Sequence, residues 1–180
     1  AHFTPTIGDK IIVNKNDVNV IYDWNTIGMK NTSTNSIEVS QLYIPKENLF
    51  KVEEQNNFLE VPIFNLPFII YAQGFFIHVL YGMIKRMVTE SESLEFEEEL
   101  NSFKEENNLI IITCLKEKNL TEVQQTVFEK NYQRQALKIK QISNRIFENN
   151  GMSSIDQKNL IGIFCLDIIT ICQHTLLQLK

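Results

Sequence analysis

Residues 66–84 carry no formal charge over nineteen consecutive positions, until Lys85 and Arg86 end the run. A stretch of that length admits three structures: a membrane span, the wall of a ligand pocket, or the interior helix of a soluble domain. Its composition argues against the span. Gln73, Gly74, His78 and Gly82 lie inside it, Asn65 and Pro67 border its start, and its aromatic residues are spread along it rather than gathered at two interfaces. A second apolar stretch, 160–179, is interrupted by Asp167 and His174, and either would be costly in lipid. No membrane span is therefore expected, and residues 67–89 are read as a hydrophobic central helix buried on most sides.

The chain on either side of Asn65 follows two different periods. Before it, 10–13, 18–24, 37–44, 49–53 and 58–64 are short segments rich in Val, Ile, Tyr and Phe, separated by clusters of Asn, Asp, Ser and Lys. Such alternation predicts an antiparallel meander of about five strands over 1–65. The loop 30–36 has no apolar anchor after Met29 and is expected to be mobile.

After Asn65 the spacing becomes helical. Pro67 suits a first helical turn. Residues 93–107 place Leu94, Phe96, Leu100 and Phe103 among glutamates, the pattern of an acidic surface helix. The β-branched run 109–115 reads as a short buried strand. Asn119 followed by Glu122 predicts a capped start for a helix reaching Glu148, with an apolar stripe through Tyr132, Ala136, Ile139, Ile142 and Ile146, and Gly151 as its stop. A last helix is expected over 153–179. The whole is an α+β fold in one domain, 1–180, with the meander packed on about four helices around the 67–89 helix.

A chain of 180 residues is long enough to bury a full core without disulfides or metals. Net charge is -5, which disfavours a nucleic-acid binder of the whole-surface kind. Cys114, Cys165 and Cys172 are odd in number and sit in apolar runs, so reduced, buried thiols and a cytoplasmic setting are expected. The chain begins at Ala1 rather than methionine, as a processed product or a piece of a longer protein would, and no leader precedes Ile11.

No signature of a catalytic elbow, a phosphate loop or a dinucleotide fold occurs, so the sequence leans away from an enzyme and implies no cofactor and no metal. Two constellations remain. Lys130, Arg134, Lys138 and Arg145 fall along one helical face, a surface for an acidic partner, for a second copy through the glutamates of 91–106, or for nucleic acid. His78 and His174, with Cys165 and Cys172, occupy two apolar helices expected to be neighbours, and are candidates for a pocket between the central and last helices. The segregated charges favour a non-enzymatic protein-interaction module: an adaptor, an immunity-type inhibitor or a subunit of a larger assembly. The alternative is a small-ligand or cofactor binder, or an enzyme, built on the histidine pocket.

Overall fold

The computed structural model describes residues 9–51, 66–117 and 120–178. Four helices form the body: α1 (Phe68–Ser91), α2 (Glu97–Lys116), α3 (Glu122–Asn149) and α4 (Leu160–Ile171). Four strands of three residues each precede them: β1 (Asp9–Ile11), β2 (Asn19–Ile21), β3 (Ser36–Glu38) and β4 (Leu49–Lys51).

The helices start and stop where local chemistry dictates. Pro67 stands immediately before α1, where its missing N–H costs no helical bond, and Glu92 closes the helix in the left-handed region at φ 53°. Three glutamates, Glu97, Glu98 and Glu99, occupy the first turn of α2, the end at which negative charge suits the helix dipole. For α3 the cap is Thr121, two residues later than Asn119. Its Oγ1 accepts from the Gln124 backbone N–H at 3.2 Å, and Gln124 Oε1 accepts in return from the Thr121 N–H at 2.8 Å. Asn159 Oδ1 accepts from the N–H groups of Ile161 and Gly162 at the start of α4.

α1 packs chiefly on α3 and α4, and also on α2. Its buried residues, Ile70, Gln73, Ile77, Leu80, Ile84 and Met87 with Val88, recur at three and four positions and so form one face. Opposite them stand Ile139, Ile142 and Ile146 of α3 and Ile168 of α4, each at most 2% exposed. Burial of each such side chain contributes roughly 1.5–3 kcal/mol before entropy is counted.

Several expectations are corrected here. The five-stranded meander does not form: the four described strands pair as two separate ladders, β1 with β4 and β2 with β3, nested rather than consecutive. Ile11 faces Leu49 and Val20 faces Ile37. The fifth expected strand, 58–64, lies outside the described residues. Residues 109–115 are helical, not a strand, because Phe103, Asn107, Ile110 and Cys114 continue one buried helical face across the β-branched run. The last helix ends at Ile171, and short 3-10 turns at Gly151–Ile155 and Thr175–Leu177 flank it. The architecture is thus a four-helix body with two small ladders, in place of a sheet closing one side of a helical layer. By length and composition α1 could cross a membrane. Here one face of it is buried and Phe68, Tyr71 and Phe75 on another are exposed, so it is central by its contacts but not enclosed.

The loop between β2 and β3 is held by specific bonds to the body. Met29, at φ 53°, donates its N–H to Asp167 Oδ1 at 2.5 Å, while its carbonyl accepts from Trp24 Nε1 at 2.9 Å and Thr32 Oγ1 at 2.8 Å. Gly28 lies against the Leu166 carbonyl and Thr170 Oγ1 so closely that a Cβ would collide with both. Asp23 accepts from the Ser36 hydroxyl and N–H, and these bonds hold its carboxyl below its ordinary pKa.

Candidate functional site

The first half of α1, the second half of α2 and Tyr132 of α3 line a half-open cavity of about 290 Å³, with Tyr71, Phe75, Ile111 and Leu115 of its wall exposed to solvent. Leu66, Ile70, Phe75, Ile110, Ile111 and Leu115 make its walls, and Gly74 leaves room in its floor. Heteroatoms enter only through Tyr71, His78, Cys114 and Tyr132 among the side chains lining it, and none of the lining residues is Asp, Glu, Lys or Arg.

The polar groups gather around Gly74. A Cβ built there would lie 3.2 Å from the Tyr132 hydroxyl oxygen, so the absence of a side chain is what keeps this end open. Tyr132 is 2% exposed, and its hydroxyl makes no hydrogen bond among the described residues. Burial, the larger cause, together with Cys114 nearby pushes its pKa well above the ordinary phenol value, so it remains an O–H donor. His78 Nδ1 lies 2.7 Å from the Gly74 carbonyl. A carbonyl only accepts, so a proton on Nδ1 makes this bond; the His78 side chain itself is exposed. Burial raises the Cys114 pKa, which keeps this thiol protonated and a poor nucleophile.

The histidines and cysteines singled out from the sequence are distributed over different contacts. His78 lines the α1–α2–α3 cavity. His174 lies on the other side of α1, its ring 4.7 Å from that of Phe76 and its Nδ1 accepting from the Leu176 N–H at 3.3 Å. Leu176 in turn accepts from the buried Gln73 Nε2 at 2.7 Å. Cys165 Sγ points at Asn144 Oδ1 (3.7 Å) and Cys172 Sγ at the Ala136 carbonyl (3.6 Å), both in the α3–α4 contact. Among the described residues no three of His, Cys, Asp and Glu assemble as metal ligands.

The four cations of α3 also part company. Arg134 reaches Glu106 of α2 at 2.5 Å and Lys138 reaches Glu99 at 3.3 Å. Arg145 lies over the Phe96 ring at 5.0 Å. Lys130 is exposed. Lys138 and Arg145 border a cleft of about 400 Å³ that also holds Glu99 and Glu148, so its two signs of charge are already matched within the chain.

Tyr132, Cys114 and Gly74 were not legible as site residues. Tyr132 is one member of the apolar stripe of α3, Cys114 sits in the run that reads as a strand, and Gly74 reads as a helix-contact glycine. Only the approach of α1 to α3 brings them together.

Fold and cavity together define a class: a four-helix bundle with an uncharged pocket between its helices, suited to holding a small organic molecule. No protein-family profile and no curated protein matches the sequence. Solved structures do match by fold. XiaF from Streptomyces sp., in complex with FADH2 and glycerol, superposes with a TM-score of 0.73 at 13% identity, over 93% of this chain and 51% of that one. The HsaA monooxygenase from M. tuberculosis does so at 0.72 and 11%, over 93% and 52%. The 3-HSA hydroxylase from Rhodococcus sp. RHA1 gives 0.69 and 11%, over 94% and 52%. The chain therefore spans about half the length of these structures and shares their fold over that half.

These likenesses overturn the expectation of a non-enzymatic adaptor, inhibitor or assembly subunit. The three structures named are of a hydroxylase, a monooxygenase and a protein in complex with FADH2. The charge segregation that motivated the expectation is largely a matter of α3 pairing with α2 inside the molecule.

Proposed function

We propose that the chain binds a small, uncharged, predominantly apolar molecule in the α1–α2–α3 cavity, as the substrate-holding part of a protein of the flavin-dependent hydroxylase or monooxygenase kind. The observation that carries the reading is the cavity itself: apolar walls, no charged lining residue, and the buried residue Tyr132 on its α3 side. Its volume of about 290 Å³ lies just below the roughly 300–1,000 Å³ typical of small-molecule sites, so a compact ligand is the kind it suits. Fold alone does not assign chemistry, so the catalytic part of the reading rests on analogy with the hydroxylase and monooxygenase structures. The thiols, buried and free among the described residues, suit the cytoplasmic setting expected from the sequence.

Flavin itself does not fit this cavity as a dinucleotide. The lining offers no Lys or Arg for a diphosphate, and the space suits one compact ring system. The cavity residues accordingly suit an organic ligand rather than the flavin.

The reading is tested by titrating the protein with cyclohexane while following the methyl resonances of isoleucine. Shifts at Ile70, Ile110 and Ile111, with Ile139 and Ile168 unmoved, are the expected result. In Gly74→Leu, whose side chain enters the cavity, the shifts should vanish; Ile111→Trp offers a second way to block it. Absence of shifts in the wild type, or equal shifts throughout the core, would overturn the proposal.

A further inference from the structure

The walls of the α1–α2–α3 cavity are exposed where a small-molecule site would cover its ligand, and the exposure has a pattern. On α1, Phe68, Tyr71 and Phe75 recur at three and four positions and form one stripe. On α2, Ile111 and Leu115 stand four apart on the other wall, with Ile112 on their outer flank. All six side chains are between 39% and 61% exposed. We propose that a second copy of this chain packs on this face, across a two-fold axis lying in the interface, and that the paired chains roof the cavity one chain leaves half open.

The area matches such an interface. Aromatic side chains offer roughly 150–250 Å² each and aliphatic ones somewhat less, so at half exposure the six present on the order of 500 Å² of apolar surface. A standard interface takes about 800 Å² from each partner, a little over half of it apolar. The stripe and its opposite wall therefore supply the apolar share of one interface.

The distribution of charge favours a like chain at this place. With a net charge of -5, two copies repel over most of their surfaces. None of the residues lining the cavity is Asp, Glu, Lys or Arg. Further along, α1 and α2 border a second cleft that holds Lys85 and Glu97, so the uncharged surface occupies one end of the helix pair. A two-fold axis crossing the helices near Tyr71 lays each α1 antiparallel over the other and sends the two charged ends in opposite directions. The apolar ends alone then meet.

Pairing also completes the site. Small-molecule pockets bury about 70–90% of a ligand's surface, which walls open to solvent at Tyr71, Phe75, Ile111 and Leu115 do not. In the pair, each copy's Tyr71 and Phe75 cover the mouth of the other's cavity. This last step rests on the ligand reading above; the docking itself does not.

Sedimentation of the full chain from about 0.1 to 100 μM brackets the micromolar or tighter affinity that such an area supports. The expected result is a species of twice the mass of one chain. Tyr71→Glu and Tyr71→Lys each bring like charges together at the axis and should each weaken pairing by about a hundredfold or more, whereas an equal mixture of the two should restore it. Val123→Glu, at an exposed position outside the cavity lining, should leave pairing unchanged. Tyr71 is half exposed, so either charge stays solvated in the single chain; should these variants fail to fold, Leu115→Glu tests the same face from α2. Cyclohexane shifts of the isoleucine methyls should weaken in Tyr71→Glu and return in the mixture. A wild type that stays a single chain at every concentration, variants that pair as tightly as the wild type, or a mixture that stays unpaired overturns the proposal, and cyclohexane shifts in such a single chain would leave the ligand reading standing. Pairing without cyclohexane shifts supports the docking face and removes the ligand reading.

Discussion

Cys172 ends α4 with its Sγ 3.6 Å from the Ala136 carbonyl, and burial pushes its pKa up to about 11 from an ordinary 9.0. The neutral thiol is the form the fold accepts. In the unfolded chain the thiol ionises near its ordinary value, so between pH 9 and 11 the unfolded state holds fewer protons and gains stability relative to the native one. Stability from this group is therefore complete below about pH 9 and falls as pH rises through 11, by at most roughly 2–3 kcal/mol. Burial shifts Cys114 and Cys165 in the same direction. Urea unfolding under reducing conditions at pH 8 and pH 10.5 should show the drop, and Cys172→Ala should flatten part of it; a pH-independent midpoint in the wild type would mean the thiol is not held neutral by the fold. At this scale the sequence was partly readable. Three buried, free thiols follow from apolar neighbours alone, whereas the partners of His78 and His174 do not, because those depend on which face of α1 each neighbour covers.

The element most misread is α2, where local preference and tertiary packing disagree. Ile110, Ile111 and Ile112 favour extended backbone by their branching at Cβ, yet Ile110 and Cys114 lie four apart on the buried face that Phe103 and Asn107 begin. Burial of that face outweighs a propensity difference of a few tenths of a kcal/mol per residue. The start of α3 is a milder case: a capping box was expected from Asn119, and the box forms from Thr121 and Gln124 instead, both being compatible with the same sequence rule. The sequence marks 30–36 as a loop and suggests a mobile one, but its anchor at Met29 was not readable, since the partner lies 138 residues away. The Asp167 carboxylate that accepts from the Met29 N–H is a charge-assisted bond, and it holds a non-glycine residue at positive φ. Asp167→Ala should weaken the loop's attachment by about 1.5–3 kcal/mol, while Asp167→Asn, which keeps an acceptor, should retain most of it. Trp24 is the single tryptophan and its Nε1 bonds to Met29, so its emission reports the change directly. Identical emission in wild type and Asp167→Ala would show that the loop is held by something other than this bond.

For the molecule as a whole, the distribution of burial sets two tiers of stability. The helical body shares one hydrophobic cluster reaching from Ile70 to Leu177, while β2 and β3 contribute none of its members. Each ladder has three residue pairs, a size that is marginal in water without packing, and Ile21, Tyr22, Ile37 and Val39 around the β2–β3 pair are exposed. Native-state hydrogen exchange should accordingly separate the two parts. Amides at 77–84 of α1 and 139–146 of α3 open only with global unfolding, because their side chains are shared among three helices. Amides of β2 and β3 open locally, and should exchange on the order of a hundredfold faster or more. The loop joining them complicates the outcome in an informative way. Met29 is tied to α4 through Asp167, so its own amide should be slower than those of the strands that flank it, although it lies in a turn. Uniform protection of strands and helices would mean that the ladders are stabilised by contacts beyond those of the described residues. A Met29 amide as fast as its neighbours would place the tie to α4 below the stability of the loop itself.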